Sequence, residues 1–317
     1  MNSKWKDKRV LVTGAAGVIG RVVVGVLVSQ GARVLCVDIV SGDTLGSLDV
    51  EYIQADLATR VPPEVCAFDP EIVFHLAATF ERTEEAPGYW ITSFENNVLV
   101  SHLLLRALVP SPSLKVFVFA SSYLVYDPKL YLNVSEVYSL KETDLIAPRN
   151  LVGLAKYFTE RELDFLQKTE KKVRTVSARI FRVYGRGSRD VISRWVRAGL
   201  RKEPIEVWGS WNRFDYIFAD DVAKGLVRLA ESEAAQGVIN LGSGVARSID
   251  DVVAILQAEL PGLQVQDRRV DNPVEASCAD MSLFQRITKW LPGTSLEQGI
   301  KEIIAYERRG DGNERSV

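Results

Sequence analysis

The sequence predicts an α/β fold, a doubly wound parallel sheet carrying a smaller C-terminal α/β lobe, and three observations lead there. Short apolar runs alternate with segments of helical period, and strands apolar throughout are strands buried on both faces. The first run ends in a glycine-spaced turn, Gly14-x-x-Gly17-x-x-Gly20, that opens a helix. The 317 residues exceed the usual size of one core. The expected division gives residues 1–180, with 214–243 returning, to the large unit. Residues 181–213 and 244–317 form the smaller lobe.

Taken in order, the expected strands are Arg9 to Thr13, Arg33 to Asp38, Ile72 to Ala77, Lys115 to Ser121, Arg174 to Arg179 and Val238 to Leu241. Between the first two, Gly14-Ala15-Ala16-Gly17-Val18-Ile19-Gly20 combines a tight turn, a close backbone approach and helix-to-strand packing. A dinucleotide pyrophosphate is therefore expected against Gly14, Ala16, Gly17, Val18 and Ile19. Asp38 ends the second strand at the separation where a carboxylate accepts hydrogen bonds from the adenosine ribose and repels a 2′-phosphate, which favours NAD over NADP. Asp250 to Leu260 reads as an apolar helix of the smaller lobe, and the polar tail from Arg308 to Val317 as frayed.

Composition narrows the partners. With 39 basic and 41 acidic residues the formal charge is −2, so the positive field of a nucleic-acid binder is absent and an anionic ligand has to be held by local arginines. Cys36, Cys66 and Cys278 lack metal-ligand spacing, which suits a reducing compartment and buried structural thiols. No apolar signal region precedes the first strand, and no run is long enough to cross a bilayer. A cytoplasmic protein without membrane, nucleic-acid or metal partners is expected.

Further motifs make the pattern specific. His75-Leu76-Ala77-Ala78, Ser121-Ser122-x-x-Val125-Tyr126 and Arg179-x-x-x-Val183-Tyr184-Gly185 follow the glycine turn. Asp220-Asp221-Val222-Ala223, Asn240-Leu241-Gly242-Ser243-Gly244, Ala279-Asp280-Met281-Ser282 and Ser295-Leu296-Glu297-Gln298-Gly299-Ile300 continue the pattern. Over nearly its whole length the chain resembles the extended short-chain dehydrogenase/reductases, in particular the NAD-dependent nucleotide-sugar epimerases and dehydratases. The resemblance implies a Rossmann-type sheet that binds NAD and a substrate-binding lobe that holds a nucleoside-diphosphate sugar. Such relatives oxidise a sugar hydroxyl transiently, allow epimerisation, elimination or decarboxylation, and usually return the hydride.

The resemblance also distributes roles. Asp56 and Leu57, after the third strand, match the adenine contact. Leu76, Ala77 and Ala78 border the cofactor, and Thr79 borders the substrate. Asn97 matches a supporting asparagine, Ser122 the catalytic serine or threonine, and Lys156 the catalytic lysine, which also bonds the nicotinamide ribose.

The chain departs from the family around the sugar. Val152 stands four residues before Lys156, on the same helix face, where relatives carry the catalytic tyrosine. Valine neither accepts nor donates a proton, and losing general-base help costs about 10²-fold to 10⁴-fold. Tyr123, next to Ser122, and Glu81, after the fourth strand, are the candidate substitutes. Leu124 fills the other acidic position of the 4,6-dehydratases and argues against ordinary dehydration. Arg182 replaces an asparagine, and Phe214 replaces a phosphate-binding arginine. The diphosphate grip is therefore expected at Arg182, helped by Arg213 or Arg269.

Two functions compete. One is an epimerase, oxidoreductase or unusual dehydratase using NAD on a nucleotide sugar; the other is a catalytically silent binder of the same ligands. The helices Phe94 to Val109 and Val152 to Gln167 match the pair through which relatives form a homodimer, with Leu99, Leu103, Phe158 and Phe165 as apolar contacts.

Overall fold

The computed structural model describes residues 4–46, 48–79, 88–170, 172–268 and 273–310. Glu81 and Arg269 lie outside the described residues. The first half runs β1 (Arg9–Thr13), α1 (Val18–Ser29), β2 (Arg33–Asp38), β3 (Glu51–Gln54), α2 (Pro63–Phe68), β4 (Ile72–His75), α3 (Tyr89–Ser93), α4 (Val100–Leu108), β5 (Val116–Ser122), β6 (Tyr138–Leu140), α5 (Leu151–Thr169) and β7 (Arg174–Ile180). The second half runs β8 (Arg182–Tyr184), α6 (Val191–Leu200), β9 (Ile205–Trp208), β10 (Arg213–Phe218), α7 (Ala219–Glu231), β11 (Gly237–Leu241), β12 (Ala246–Ser248), α8 (Ile249–Glu259), β13 (Val265–Arg268), β14 (Ser277–Ala279), α9 (Ser282–Thr288) and α10 (Leu296–Arg308).

Seven parallel strands form the large sheet in the order β11-β7-β5-β4-β1-β2-β3. Chain direction across the sheet reverses between β1 and β4, and a crevice opens at the carboxyl ends of strands at such a point. The apolar runs follow from burial on both faces. In β1, Val10 and Val12 share a core with Val23, Val24 and Leu27 of α1, whereas Leu11 joins Leu104 of α4 and Leu163 of α5 on the opposite face. The sheet is thus the doubly wound Rossmann type that the residue pattern predicts.

The smaller core gathers Tyr184, Trp195, Phe214, Tyr216, Phe218, Val252, Leu256 and Ile300. There β10 pairs with β8 in parallel and with β12 antiparallel. Strand 213–218 therefore belongs to the small sheet, and the return to the large sheet begins at α7 rather than at 214. Asp215, 1% exposed, accepts from the backbone N–H groups of Ser243 at 2.6 Å, Gly244 at 2.9 Å and Ala279 at 3.0 Å. One buried carboxylate thus ties together two of the C-terminal motifs.

Two elements differ from their sequence reading. β4 ends at His75, two residues early, because the Ala77 N–H donates to the Thr13 hydroxyl at 3.3 Å in place of a ladder bond as the chain splays away. The helix expected from Phe94 starts earlier, at Tyr89, and runs from α3 through a π-helical stretch, Phe94–Leu99, into α4. Among the described residues no helix is long and apolar enough to cross a membrane.

Candidate active site

A cleft of about 760 Å³ lies at the carboxyl ends of the central strands. Gly14, Ala16, Gly17, Val18, Asp38, Asp56, Leu57, Leu76, Ala77, Ala78 and Thr79 line it together. Ile19, Asn97, Ser122, Tyr123, Lys156, Arg182 and Arg213 are not on its wall. Arg21, Ile39, Val40, Asn96 and Gly187 to Arg189 also line it, and the sequence reading missed them. Arg21 carried the nearest thing to a signal, a cation one residue past Gly20. The 187–189 loop carried none, because only the fold brings it over the glycine turn.

The turn explains its own residues. Gly14 has φ +69°, in the left-handed region, and a Cβ there would stand 2.7 Å from Ala77 N. A Cβ on Gly20 would run into the Gly14 carbonyl oxygen, so the third glycine lets α1 pack against the turn. Gly17 caps α1 without a side chain, leaving the helix N-terminal N–H groups for a ligand. Asp38 accepts from Ala16 N–H at 2.9 Å and Val40 N–H at 3.3 Å, and its remaining lone pairs suit ribose hydroxyls. The positive helix end, the close-approach glycine and the acidic strand end together fit a dinucleotide.

Further along, Asn97 is 2% exposed, and its side-chain oxygen accepts from Thr79 N–H at 2.9 Å. It sits in the π-helical stretch and fixes the loop that leaves β4. His75 is fully buried between the Thr13 hydroxyl at 2.7 Å and the Ser101 hydroxyl at 2.9 Å, and burial brings its pKa down to about 3. The imidazole is therefore neutral at physiological pH.

Asn150 caps α5 by accepting from Gly153 N–H at 2.8 Å. A Cβ on Gly153 would collide with the Leu124 carbonyl, so α5 is seated closely against the turn after β5. This seating buries Val152 (5% exposed) and Lys156 (7%) one turn apart. The Lys156 ammonium lies 4.8 Å from the Phe119 ring centre, and burial lowers its pKa to about 8. Ser122 accepts from Leu124 N–H at 3.2 Å, which leaves its own O–H free to donate.

Tyr123 is 5% exposed and stacks on Phe181, with ring centres 5.1 Å apart. Burial raises its phenol well above the ordinary value, so it keeps its proton at neutral pH. Such a group donates a hydrogen bond but is a poor base.

Arg182 lies flat on Phe214, 3.5 Å from the ring centre, and 6.0 Å from the Tyr123 ring. It shares Glu275 with Arg149. Arg213 meets this group only through its backbone, whose N–H donates to the Glu275 carbonyl at 2.8 Å; its side chain is exposed and its charge acts on Asp251 of α8. Glu275 and Arg149 were not singled out from the sequence. Glu275 lies 126 residues from Arg149 and 93 from Arg182, so no local pattern links them.

A profile of the NAD dependent epimerase/dehydratase family matches residues 10–242. A putative UDP-glucose 4-epimerase of Methanocaldococcus jannaschii is 24% identical over 315 residues, 95% of this chain and 99% of that one. The epimerase Mth375 of Methanothermobacter thermautotrophicus shares the fold, with TM-score 0.86 at 24% identity over 98% of this chain and 96% of its own. MoeE5, solved in complex with UDP-glucose and NAD, superimposes with TM-score 0.81 at 30% identity over 95% of this chain and 99% of its own. The glycine turn, the parallel sheet and these likenesses agree: the chain belongs to the NAD dependent epimerase/dehydratase family.

Proposed function

We propose that the protein is an NAD-dependent enzyme that modifies a nucleoside-diphosphate sugar, as an epimerase, oxidoreductase or unusual dehydratase. The observation carrying this reading is the convergence of the glycine turn, the uncapped N-terminus of α1 and Asp38 on one cleft. MoeE5, at 30% identity over nearly its full length, binds UDP-glucose and NAD, which supports the same ligand classes here. NAD, when bound, supplies the acceptor for hydride from a sugar carbon. The backbone of Gly14, Ala16, Gly17 and Val18 holds the pyrophosphate, with Ile19 behind the cleft wall, Asp38 holds the ribose, and Asp56 with Leu57 the adenine. Leu76, Ala77 and Ala78 form the opposite wall, braced by Asn97 through Thr79.

Val152 removes the usual proton acceptor. The raised Tyr123 phenol is assigned to hydrogen-bond the sugar oxygen, with Ser122 as the second donor. Lys156 takes the proton: it is buried one turn from the gap, bonds to no carboxylate among the described residues, and titrates at about 8. Because the neutral amine is the active form, turnover should rise with pH through about 8 and then level off. A Lys156→Met variant should lose that limb together with about 10²-fold or more of the rate. An unchanged pH profile in the variant assigns the proton elsewhere, with Glu81 next in order.

Val152 also favours a second reading, a silent binder of NAD or nucleotide sugars; turnover of any nucleotide sugar rejects it. For the assembly we propose a homodimer through the π-helical stretch with α4 and through α5. Phe94, Phe158 and Phe165 there are 56%, 51% and 68% exposed, whereas Leu99 and Leu103 are half-buried. Of the three thiols only Cys36 is buried, whereas Cys66 is exposed and Cys278 half-buried, so the expected structural burial holds for Cys36 alone; three unpaired cysteines are consistent with the proposed cytoplasmic location. The large lobe is assigned to NAD. Residues 181–213 and 244–317, joined by β10, are assigned to the sugar.

A further inference from the structure

Two guanidinium groups and one carboxylate meet beside Tyr123. Glu275 is 4% exposed, and its Oε2 accepts from Arg149 Nη1 at 2.7 Å and from Arg182 Nη2 at 3.4 Å. One carboxylate neutralises one guanidinium. Arg149 holds the short bond and also reaches the Tyr131 hydroxyl at 3.4 Å, so Arg182 is the cation left over. Among the described residues no other carboxylate bonds to either arginine.

The cluster is also incomplete. Glu275 Oε1 and Arg182 Nε are both buried without a hydrogen-bond partner. Leaving such atoms unpaired is costly, and that cost is expected where a ligand finishes the set. Arg182 remains reachable, with 34% of its side chain exposed. Its stacking on Phe214 fixes the guanidinium plane and leaves the donor edges for an in-plane partner.

Position and charge decide what that partner is. Tyr123 shares a buried core with Val152, and the Arg182 guanidinium lies 6.0 Å from the Tyr123 ring, so the cluster packs beside the segments that carry Ser122 and Val152. The surplus is one positive charge, which matches a single carboxylate better than a doubly charged diphosphate.

We propose that Arg182, backed by Arg149 and Glu275, recognises a carboxylate on the sugar itself, and that the substrate is a nucleoside-diphosphate uronic acid. This rests on the nucleotide-sugar reading above. It also moves Arg182 from the diphosphate to the sugar. A carboxylate takes an arginine fork through two parallel N–H bonds, a pairing a neutral hydroxymethyl group cannot make. Arg149 stays occupied by Glu275 and acts as a positioning residue.

Calorimetric titration of UDP-glucuronic acid, UDP-glucose and UDP into the NAD-loaded protein tests this, with Arg182→Gln and Arg182→Lys alongside. The acid should bind about ten- to a hundred-fold more tightly than UDP-glucose, the worth of one charge-assisted contact. Arg182→Gln should abolish that preference and leave UDP affinity unchanged, which also shows the variant to be folded. Arg182→Lys, which keeps the charge without the fork, should retain part of the preference. Equal binding of acid and neutral sugar, a preference that survives Arg182→Gln, or a loss shared by UDP overturns the proposal while leaving nucleotide-sugar binding intact. If none of the three binds, the wider reading falls as well.

Discussion

At the residue scale, the proposed chemistry turns on Val152. Val152 is buried in the core that also holds Tyr123, so Val152→Tyr adds volume there and costs about 1–3 kcal/mol in packing. It also returns a phenol one turn from Lys156. Appearance of ordinary 4-epimerase activity in this variant, assayed as interconversion of UDP-glucuronic acid with UDP-galacturonic acid and of UDP-glucose with UDP-galactose, is the expected outcome; a folded variant without either shows that position 152 alone did not divert the reaction. His75 gives a stability test. Folded His75 takes a proton only near pH 3, whereas an unfolded histidine takes one at about 6.5, so between those values the unfolded chain binds more protons. Stability therefore falls as pH drops, by about 2 kcal/mol by pH 5, and His75→Gln should flatten that limb in acid melts. Residues set by short spacing, such as Val152 with Lys156 or Gly14 with Gly17, were legible in the sequence. Glu275 was not, because its partners are fixed only by tertiary pairing.

At the element scale, several family-like motif residues turn out to hold elements together. Arg179 of β7 makes a bidentate pair with Glu160 of α5, at 3.0 and 2.8 Å, and Ser121 of β5 donates to the same carboxylate at 2.5 Å. The side chains of the pair are 4% and 2% exposed. The Arg179 guanidinium stacks 4.6 Å from the Tyr126 ring, whose hydroxyl donates to Asn240 of β11 at 2.6 Å. Removing one partner strands a buried charge, so Arg179→Ala should lose about 3–5 kcal/mol in urea unfolding, and replacing both partners by apolar residues should recover much of it. A single-variant loss under about 1 kcal/mol contradicts this role. The apolar strands were legible because burial on both faces leaves a plain pattern. The early end of β4 was not, since it depends on the Ala77 N–H bonding to the Thr13 side chain, and no local pattern marked the π-helical stretch.

At the scale of the whole molecule, the proposed sugar site draws on both sheets. Ser122 ends β5 of the large sheet and Lys156 lies on α5 packed beside it, whereas Arg182 and Phe214 belong to β8 and β10 of the small sheet and the Glu275 carbonyl accepts from Arg213 N–H of β10. The small-lobe boundary was the least legible feature, because β10 reads as any apolar strand until its pairing with β8 and β12 is known. Assembly is tested by Phe158→Asp combined with Phe165→Asp. If the exposed face of α5 is the dimer contact, light scattering should show the mass falling from two chains to one, and a wild-type protein that is already monomeric contradicts the assignment. Catalysis itself is tested most directly by rapid mixing of the NAD-loaded protein with a panel of neutral and uronic nucleotide sugars while the absorbance of reduced nicotinamide is followed. Transient or stoichiometric reduction with at least one sugar, lost in Lys156→Met, is the expected result; no reduction by sugars that demonstrably bind contradicts it and leaves a silent binding protein.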